Sequence, residues 1–482
     1  MAVIGSGPAG EKAAAHAAYF GRSVALIERH RQLGGAVVSN AGIPTKTLRE
    51  SALYVTGFGR RDVYGVGVQV TPDRTLQLLR SRTEKVIEAM AGQVARNMER
   101  HGVTVLHGTA RLAGPTTVAV TGEGGKREVG ARTILVATGS RPFRPPGIPF
   151  DDPDVHDSES VLSIDRPFES IVIVGTGAVG CEYASIMAAL GVQVTMIEGG
   201  TRILGIADAE VSAALARCLV GAGIEIRTST HAASIARKVG RLSVTLADGE
   251  ELHPDKVLFA VGRESNSEDL GLEALGIQLG KHGCIPVDVD FRTTVPTVFA
   301  AGDVVGPPAL ASVSVEQGRV AASIACGTPY AGGARWEPPS GIYTVPEVAW
   351  VGLTEEQAQA RGLRYEVGRA NFTSNSRATI GGNSEGMVKI IFDPRDRRVL
   401  GVHAVTEIAA EIIHVAQAVI QLNGGLDYFV HTTFNVPTWS DAFKMAAFDG
   451  LGKLEPSQLV RAPDARASAG RSSEGPTERV DP

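Results

Sequence analysis

Six glycines and two glutamates carry the first chemistry legible in this chain. Gly5, Gly7 and Gly10 form a GxGxxG turn within "AVIGSGPAGEKAAAHAAYFGRSVALIE". Gly175, Gly177 and Gly180 form a second within "SIVIVGTGAVGCEYASIMAALGVQVTMIE". In such a turn the first glycine permits the tight reversal and the second lets a pyrophosphate approach the backbone. The third lets helix and strand pack closely. The helix that follows aims its unpaired N–H groups at the phosphates. Glu28 and Glu198 each stand 23 positions after the first glycine of their turn. That is the end of the second strand, where a carboxylate hydrogen-bonds ribose hydroxyls. One GxGxxG is a weak signal, but strand, turn, helix and acid repeated in one chain is specific. Two bound dinucleotides are expected.

Other reactive residue types form no comparable set. Cys181, Cys218, Cys284 and Cys326 lie far apart, without a CxxC pair or metal-like spacing. They read as small buried residues in a reducing compartment, and no disulfide framework is implied. Glu407, Glu411 and His414 have helical metal-ligand spacing, but one such helix needs matching ligands elsewhere, so no metal is expected. "RDRR", Arg395 to Arg398, reads as a solvated turn between two strands.

The elements that must position the glycines follow from local patterning. Each fingerprint lies in a βαβ unit with a short apolar strand, an Ala-rich helix and a second strand. Between the units, "EKVIEAMAGQVARNMERHG" is apolar at helical spacing, and "ARTILVATGSRP" is a strand ending at Thr138-Gly139. After the second unit, "KVLFAVGRESN" repeats that strand-plus-glycine ending at Gly262, and "TVFAAGDVVG" is a buried strand ending at Gly302-Asp303. From about Pro339 the texture becomes α+β, with alternating strands ("GMVKIIFD", "RVLGVHAV") and a helix ("AAEIIHVAQAVIQL"). The last residues are rich in Pro, Ser, Ala and charge, and a disordered tail is expected there. The 482 residues exceed one compact core, so several domains are expected. A buried strand before the first turn ordinarily needs more than Ala2, Val3 and Ile4, so the chain is expected to begin late. No secretory signal is legible. Net charge is −5, which argues against bulk nucleic-acid or anionic-membrane binding.

Both fingerprints followed by "ATG", "GRxxN" and "AAGD", in that order, resemble the class I pyridine nucleotide–disulfide oxidoreductases, a family of FAD flavoproteins. The likeness runs from Ala2 to about Leu454. It implies an α/β fold of two Rossmann-like domains, one for FAD (1–145 with 264–337) and one for NAD(P) (146–263). An α+β dimerisation domain (338–455) and the tail (456–482) follow. The resemblance assigns FAD to Gly5, Gly7, Gly10, Glu28, Gly34, Gly35, Lys46, Thr138, Gly139, Gly302 and Asp303, with Asp303 on the ribityl chain. It assigns the nicotinamide nucleotide to Gly175, Gly177, Gly180, Glu182, Glu198 and Gly262. Lys46, at the end of "IPTK", matches a lysine beside flavin N5. Glu182 matches the glutamate that pairs with it, and together they are the expected catalytic residues. Ala178 stands where some relatives carry an aromatic lid.

The family's disulfide enzymes place cysteines where Val37 and Gly42 stand in "GGAVVSNAGIPTKTL", and a His/Glu base where Val436 and Asp441 stand in "FNVPTWSDAF". A thiolate relay needs two sulfurs and a proton acceptor. Disulfide reduction is therefore excluded. Within the family the texture ("GCEYASI", "GIYTVPE", "YEVGRA") is similar to the Si-specific transhydrogenase branch, whose members pass a hydride between NADPH and NAD⁺ by a ping-pong route through FAD alone. Two alternatives stand beside that expectation: an NAD(P)H dehydrogenase of diaphorase type reducing quinones, and a catalytically silent nucleotide-binding redox sensor. Glu198 favours the free 2′-hydroxyl of NAD(H), whereas NADP(H) normally wants arginines; Arg202 is the cation that could swing to a 2′-phosphate. A cytoplasmic homodimer or higher homo-oligomer is expected, with no nucleic-acid or membrane partner.

Overall fold

The computed structural model describes residues 1–56, 72–238, 240–329 and 338–455. Two parallel sheets and one antiparallel sheet, each of five strands, organise them. The first is built from β1 (Ala2–Ile4), β2 (Ala25–Glu28), β3 (Thr104–His107), β4 (Ile134–Val136) and β10 (Val298–Ala300), in the order β10–β4–β1–β2–β3. The second has β5 (Val155–Asp157), β6 (Ser170–Val174), β7 (Gln193–Ile197), β8 (Glu225–Arg227) and β9 (Lys256–Phe259), in the order β8–β7–β6–β9–β5. The central strands β1, β4 and β6 are short apolar runs because both faces are covered, whereas the outer β3 and β8 carry polar, partly exposed residues. Val3, Leu26, Leu135 and Phe299 pack towards helices, while Ala2, Ile4, Ile27 and Ile134 pack on a small antiparallel sheet through Ala110, Leu112 and Val118.

In each parallel sheet the first strand of the βαβ unit is central, and strand order reverses beside it. Ligands of such sheets bind at that reversal, beyond the carboxyl ends of the strands. The outer strand of each sheet comes from outside its own unit. β10 returns to the first sheet only after the whole second sheet has been made, which explains why one strand-plus-glycine pattern recurs late in the sequence.

Helix α1 (Pro8–Tyr19) starts at Gly7 and helix α5 (Ala178–Ala189) at Gly177, and neither has a side-chain cap. Their first N–H groups therefore remain for a ligand. By contrast, Asp208 caps α6 (Ala209–Gly221), and Thr354 with Gln357 forms a capping box on α8 (Glu355–Ala360). Alanines along α1 let it lie backbone to backbone on α7 (Ala311–Cys326): a Cβ on Gly318 would fall 2.1 Å from the Ala9 carbonyl oxygen. The loop after β2 carries α2 (Gly35–Ser39) and α3 (Gly42–Val55). The helical pattern before β3 belongs to α4 (Pro72–Arg100).

The antiparallel sheet has the order β11–β12–β15–β14–β13, from β11 (Ser340–Ile342), β12 (Glu347–Gly352), β13 (Glu366–Asn371), β14 (Met387–Phe392) and β15 (Val399–Thr406). Val388, Ile390 and Phe392 face α9 (Ala409–Gln421) and α10 (Asp441–Leu451), while Met387 and Val405 join the core of the second sheet. The turn between β14 and β15 differs from expectation. Arg395 and Arg398 are solvated, but Arg397 is buried with φ +62° and pairs with Asp427 at 2.9 Å. The expected tail, 456–482, lies outside the described residues. Among the described residues no helix is long and apolar enough to cross a membrane.

Candidate functional site

The two glycine turns are near copies in space. Gly5 (φ +102°) and Gly175 (φ +95°) press on the carbonyl oxygens of Ala137 and Ala260, where a Cβ would come within 2.4 and 2.6 Å. Gly10 and Gly180 lie over the oxygens of Gly5 and Gly175, leaving 1.9 and 2.0 Å for a Cβ. Between the first two glycines, each turn holds a hydroxyl that sequence reasoning left without a role. Ser6 gives its N–H and hydroxyl to Glu28 Oε2 at 2.9 and 2.7 Å. Thr176 gives the same two groups to Glu198 Oε2 at 3.1 and 2.6 Å. The other oxygens accept the N–H of His30 and of Gly200, at 2.9 and 2.8 Å. Burial alone would raise the Glu198 pKa, but the Thr176 hydroxyl and the Gly200 and Thr176 N–H groups hold it below its ordinary value. The signal was in the sequence: both turns read Gly-hydroxyl-Gly.

At the first crevice, Ser6 Oγ also accepts the Gly34 N–H at 3.0 Å. Gly35 faces Gly7 so closely that a Cβ at 35 would lie 2.7 Å from the Gly7 Cα, and Gly139 opens on free space. Asp303 is fixed by the Ser140 hydroxyl at 2.8 Å and the Ser314 hydroxyl at 3.2 Å, and the Gly302 N–H by Gln317 at 2.8 Å. The Thr138 hydroxyl is committed elsewhere, to the Asn266 carbonyl at 2.6 Å, while Asn266 Nδ2 returns to the Thr138 carbonyl at 3.0 Å. That clasp ties the first sheet's glycine ending to the second sheet's. A backbone-lined cradle without Cβ atoms, with one fixed acid beside it and another further along, fits a dinucleotide such as FAD.

Between the crevices, Lys46 of α3 meets Glu182 of α5, Nζ to Oε2 at 2.7 Å. The second Glu182 oxygen accepts the N–H of Tyr343 at 2.9 Å, and the Tyr343 ring lies under the ammonium, 4.8 Å from Nζ. Burial, helped by the carboxylates of Glu347, Glu182 and Glu411, pushes the Tyr343 phenol up. Tyr343 stands in "GIYTVPE", just after β11, so all three sheets' units meet at this ion pair. Beside it, residues 37 and 42 face each other across one turn: a Cβ on Gly42 would fall 2.7 Å from Val37 Cγ2. With valine at 37 and glycine at 42, there is no sulfur at these two positions. Cys181, next to Glu182, is buried and donates to the Thr176 carbonyl at 3.2 Å. Burial and the nearby Glu182 and Glu198 charges push its thiol up to about 12, so it stays protonated.

The second crevice is a cleft of about 500 Å³ lined by Gly175, Gly177, Glu198 and Gly262, together with Ala178 and Arg263. Gly180 and Glu182 do not line it: Gly180 packs on the Gly175 carbonyl, and Glu182 is engaged by Lys46. Arg263 crosses to the first crevice, giving Nε to Ser140 Oγ and Nη2 to the Ser140 carbonyl, both at 2.8 Å. Arg202 does not enter the cleft. It pairs with Glu356 of α8 at 2.8 Å, so the cation expected to be able to swing to a 2′-phosphate is held by an acid in this structure.

Comparison with known proteins now decides the family. The model described as pyridine nucleotide-disulphide oxidoreductase matches residues 1–318, and that family's dimerisation domain matches 338–447. The chain belongs to this family. A soluble pyridine nucleotide transhydrogenase of Mycobacterium tuberculosis (strain ATCC 25177 / H37Ra) is 39% identical over 456 residues, covering 94% of this chain and 97% of the relative. One of Colwellia psychrerythraea is 38% identical over 456 residues, covering 94% and 98%. Among solved structures, LpdA from Mycobacterium tuberculosis has TM-score 0.85 at 27% identity, covering 93% of this chain and 98% of its own. The HOCl-induced flavoprotein disulfide reductase RclA from Escherichia coli has TM-score 0.83 at 25% identity, covering 93% and 99%.

Proposed function

We propose that the chain holds FAD in the first crevice and catalyses hydride exchange between NADPH and NAD⁺, with the two nucleotides using the second crevice in turn. The observation that carries this reading is the Lys46–Glu182 pair standing between two dinucleotide crevices beside a loop without sulfur. The names of the relatives support the same reading. FAD, when bound, supplies a hydride acceptor and donor that both nucleotides can use. The chain's own residues bind and orient. Gly7, Gly35 and Gly139 admit the pyrophosphate region, Glu28 takes ribose hydroxyls and Asp303 the polyol chain. Lys46 keeps an ammonium where negative charge would accumulate, and electrostatic stabilisation of that kind needs no reorganisation during reaction. Glu182, held by the Tyr343 N–H, prevents the ammonium from turning to solvent. Ala178 leaves the cleft mouth open for one nucleotide to replace another. The net exchange carries one hydride from the C4 of NADPH to the C4 of NAD⁺ and consumes no proton.

The division into an FAD domain (1–145 with 264–337), a nicotinamide domain (146–263) and a dimerisation domain (338–455) is part of this reading, as is a cytoplasmic location, which suits four free cysteines. The fixed Glu198 carboxylate also favours a second activity, NADH oxidation by a quinone. Anaerobic mixing of the purified yellow protein with NADPH and thio-NAD⁺ tests the leading reading: rapid thio-NADH formation is expected. A flavin-loaded preparation that reduces quinones but is inert with thio-NAD⁺ moves the assignment to the second activity.

A further inference from the structure

NAD and NADP differ by a phosphate on the adenosine 2′-oxygen, so the groups around Glu198 decide which of them fits. That carboxylate is fixed by Thr176 and Gly200, and a phosphate dianion placed on it would meet like charge. The next two residues, Gly199 and Gly200, bring no side chain. The segment facing them is pinned in place, with the Ser229 N–H on the Gly200 carbonyl at 2.8 Å and the Thr230 N–H on the Glu198 carbonyl at 3.0 Å.

Arg202 is the cation this stretch offers, and it is turned away. Its Nη1 pairs with Glu356 Oε1 at 2.8 Å, and its Nη2 points to the Gly205 and Ala207 carbonyls, both at 3.3 Å. Glu356 is itself anchored, because the same oxygen accepts the Ala209 N–H at the start of α6 at 3.1 Å. The basic side chains that line the cleft are Arg263, tied to Ser140 and to Glu159 at 3.3 Å, and His231.

We propose that the second crevice takes NAD(H) in preference to NADP(H), and that Glu356 is a specificity-determining residue because it withholds Arg202 from the 2′-phosphate. The proposal rests on the nucleotide reading of this crevice and deepens it: NADP(H) becomes the weaker partner of the exchange, and the weakness is set by a residue of α8, outside the βαβ unit.

Isothermal titration calorimetry of the flavin-loaded enzyme with NAD⁺ and NADP⁺ separately tests this without turnover. In the wild type, NAD⁺ should bind at least about tenfold more tightly. Glu356→Gln should tighten NADP⁺ about three- to fivefold while leaving NAD⁺ within about twofold, since breaking a partly exposed ion pair frees the guanidinium for a charge-assisted hydrogen bond to phosphate. Adding Arg202→Ala to that variant should abolish the gain, and Arg202→Ala alone should leave NADP⁺ affinity within about twofold. Equal affinities in the wild type, or a loss of NADP⁺ binding in Arg202→Ala alone, overturn the proposal while the exchange reading stands. Binding of neither nucleotide overturns both. Should Glu356→Gln fail to fold, the wild-type ratio and the Arg202→Ala variant still decide.

Discussion

At the scale of single residues, the proposed exchange asks more of the Lys46–Glu182 pair than folding does. The lysine side chain is 32% exposed, and exposed ion pairs contribute at most about 1 kcal/mol to stability. An ammonium held where charge develops is worth considerably more to a transition state, about 3 kcal/mol for one preorganised donor. Lys46→Met should therefore keep its flavin and its melting temperature, yet slow flavin reduction by NADPH about 100-fold in stopped-flow mixing. Glu182→Gln, which keeps an acceptor for Tyr343 but no charge for Lys46, should cost about tenfold. A Lys46→Met enzyme within about threefold of wild type would remove this residue from the mechanism. Lys46 and Glu182 came from motif register. Tyr343 did not, because its contact with Glu182 spans 161 residues and no local pattern encodes it. Ser6 and Thr176 were legible, since the same hydroxyl recurs in both turns.

At the scale of elements, the parallel sheets could be read from sequence because each βαβ unit is local and buried strands are short apolar runs. β14 misleads in the same way of reading. "MVKIIF" suggests a solvated Lys389, yet that residue is fully buried, pairing with Asp208 at 2.7 Å, with Glu210 at 3.1 Å and with Glu355. Three carboxylates converge there from the start of α6 and from α8; Arg369 serves Glu210 at 2.7 Å and Glu355 at 3.7 Å from the outer side, whereas Lys389 is the cation that reaches the buried Asp208. Burial alone would lower the lysine pKa and raise that of Asp208, but the carboxylates raise the first, and the Glu355 N–H with the Lys389 ammonium lowers the second. Lys389→Met leaves the buried Asp208 carboxylate without a cation, while Arg369 still serves Glu210 and Glu355; a loss of about 3 kcal/mol and a lower thermal midpoint at pH 7 should follow. The sign with pH follows from the depressed Asp208. Its contribution is present above the unfolded carboxylate pKa of about 3.9 and is lost as pH falls below it, so the gap between variant and wild type should narrow in acid. A midpoint difference that stays constant from neutral pH down to about 3 would show that the carboxylate charge is not what Lys389 serves.

At the scale of the whole molecule, the antiparallel unit is finished on the inside and unfinished on the outside. Ala442, Phe443, Ala446 and Ala447 of α10 are buried, whereas Met445 and Phe448 of the same helix are about half exposed, as is Tyr428. Leu422 and Val436 lie further out, at 81% and 67% exposure. Apolar side chains are exposed elsewhere too, Val289 at 93% among them, so it is the match of this unit to the family's dimerisation domain that places the association surface on it. A two-fold contact presents each residue twice, so one charge placed in it acts on both sides of the axis. Phe448→Glu should therefore sediment as a monomer where the wild type sediments as a dimer. The nucleotide sites give that variant a second readout. Gly7, Gly35, Asp303 and the cleft from Gly175 to Arg263 all belong to one chain, so the monomer should still load FAD and bind NAD⁺ within about twofold of wild type. A monomer that has lost its flavin would show that the first crevice needs the partner subunit to close it. A Phe448→Glu protein that remains dimeric would place the contact on another face of the unit.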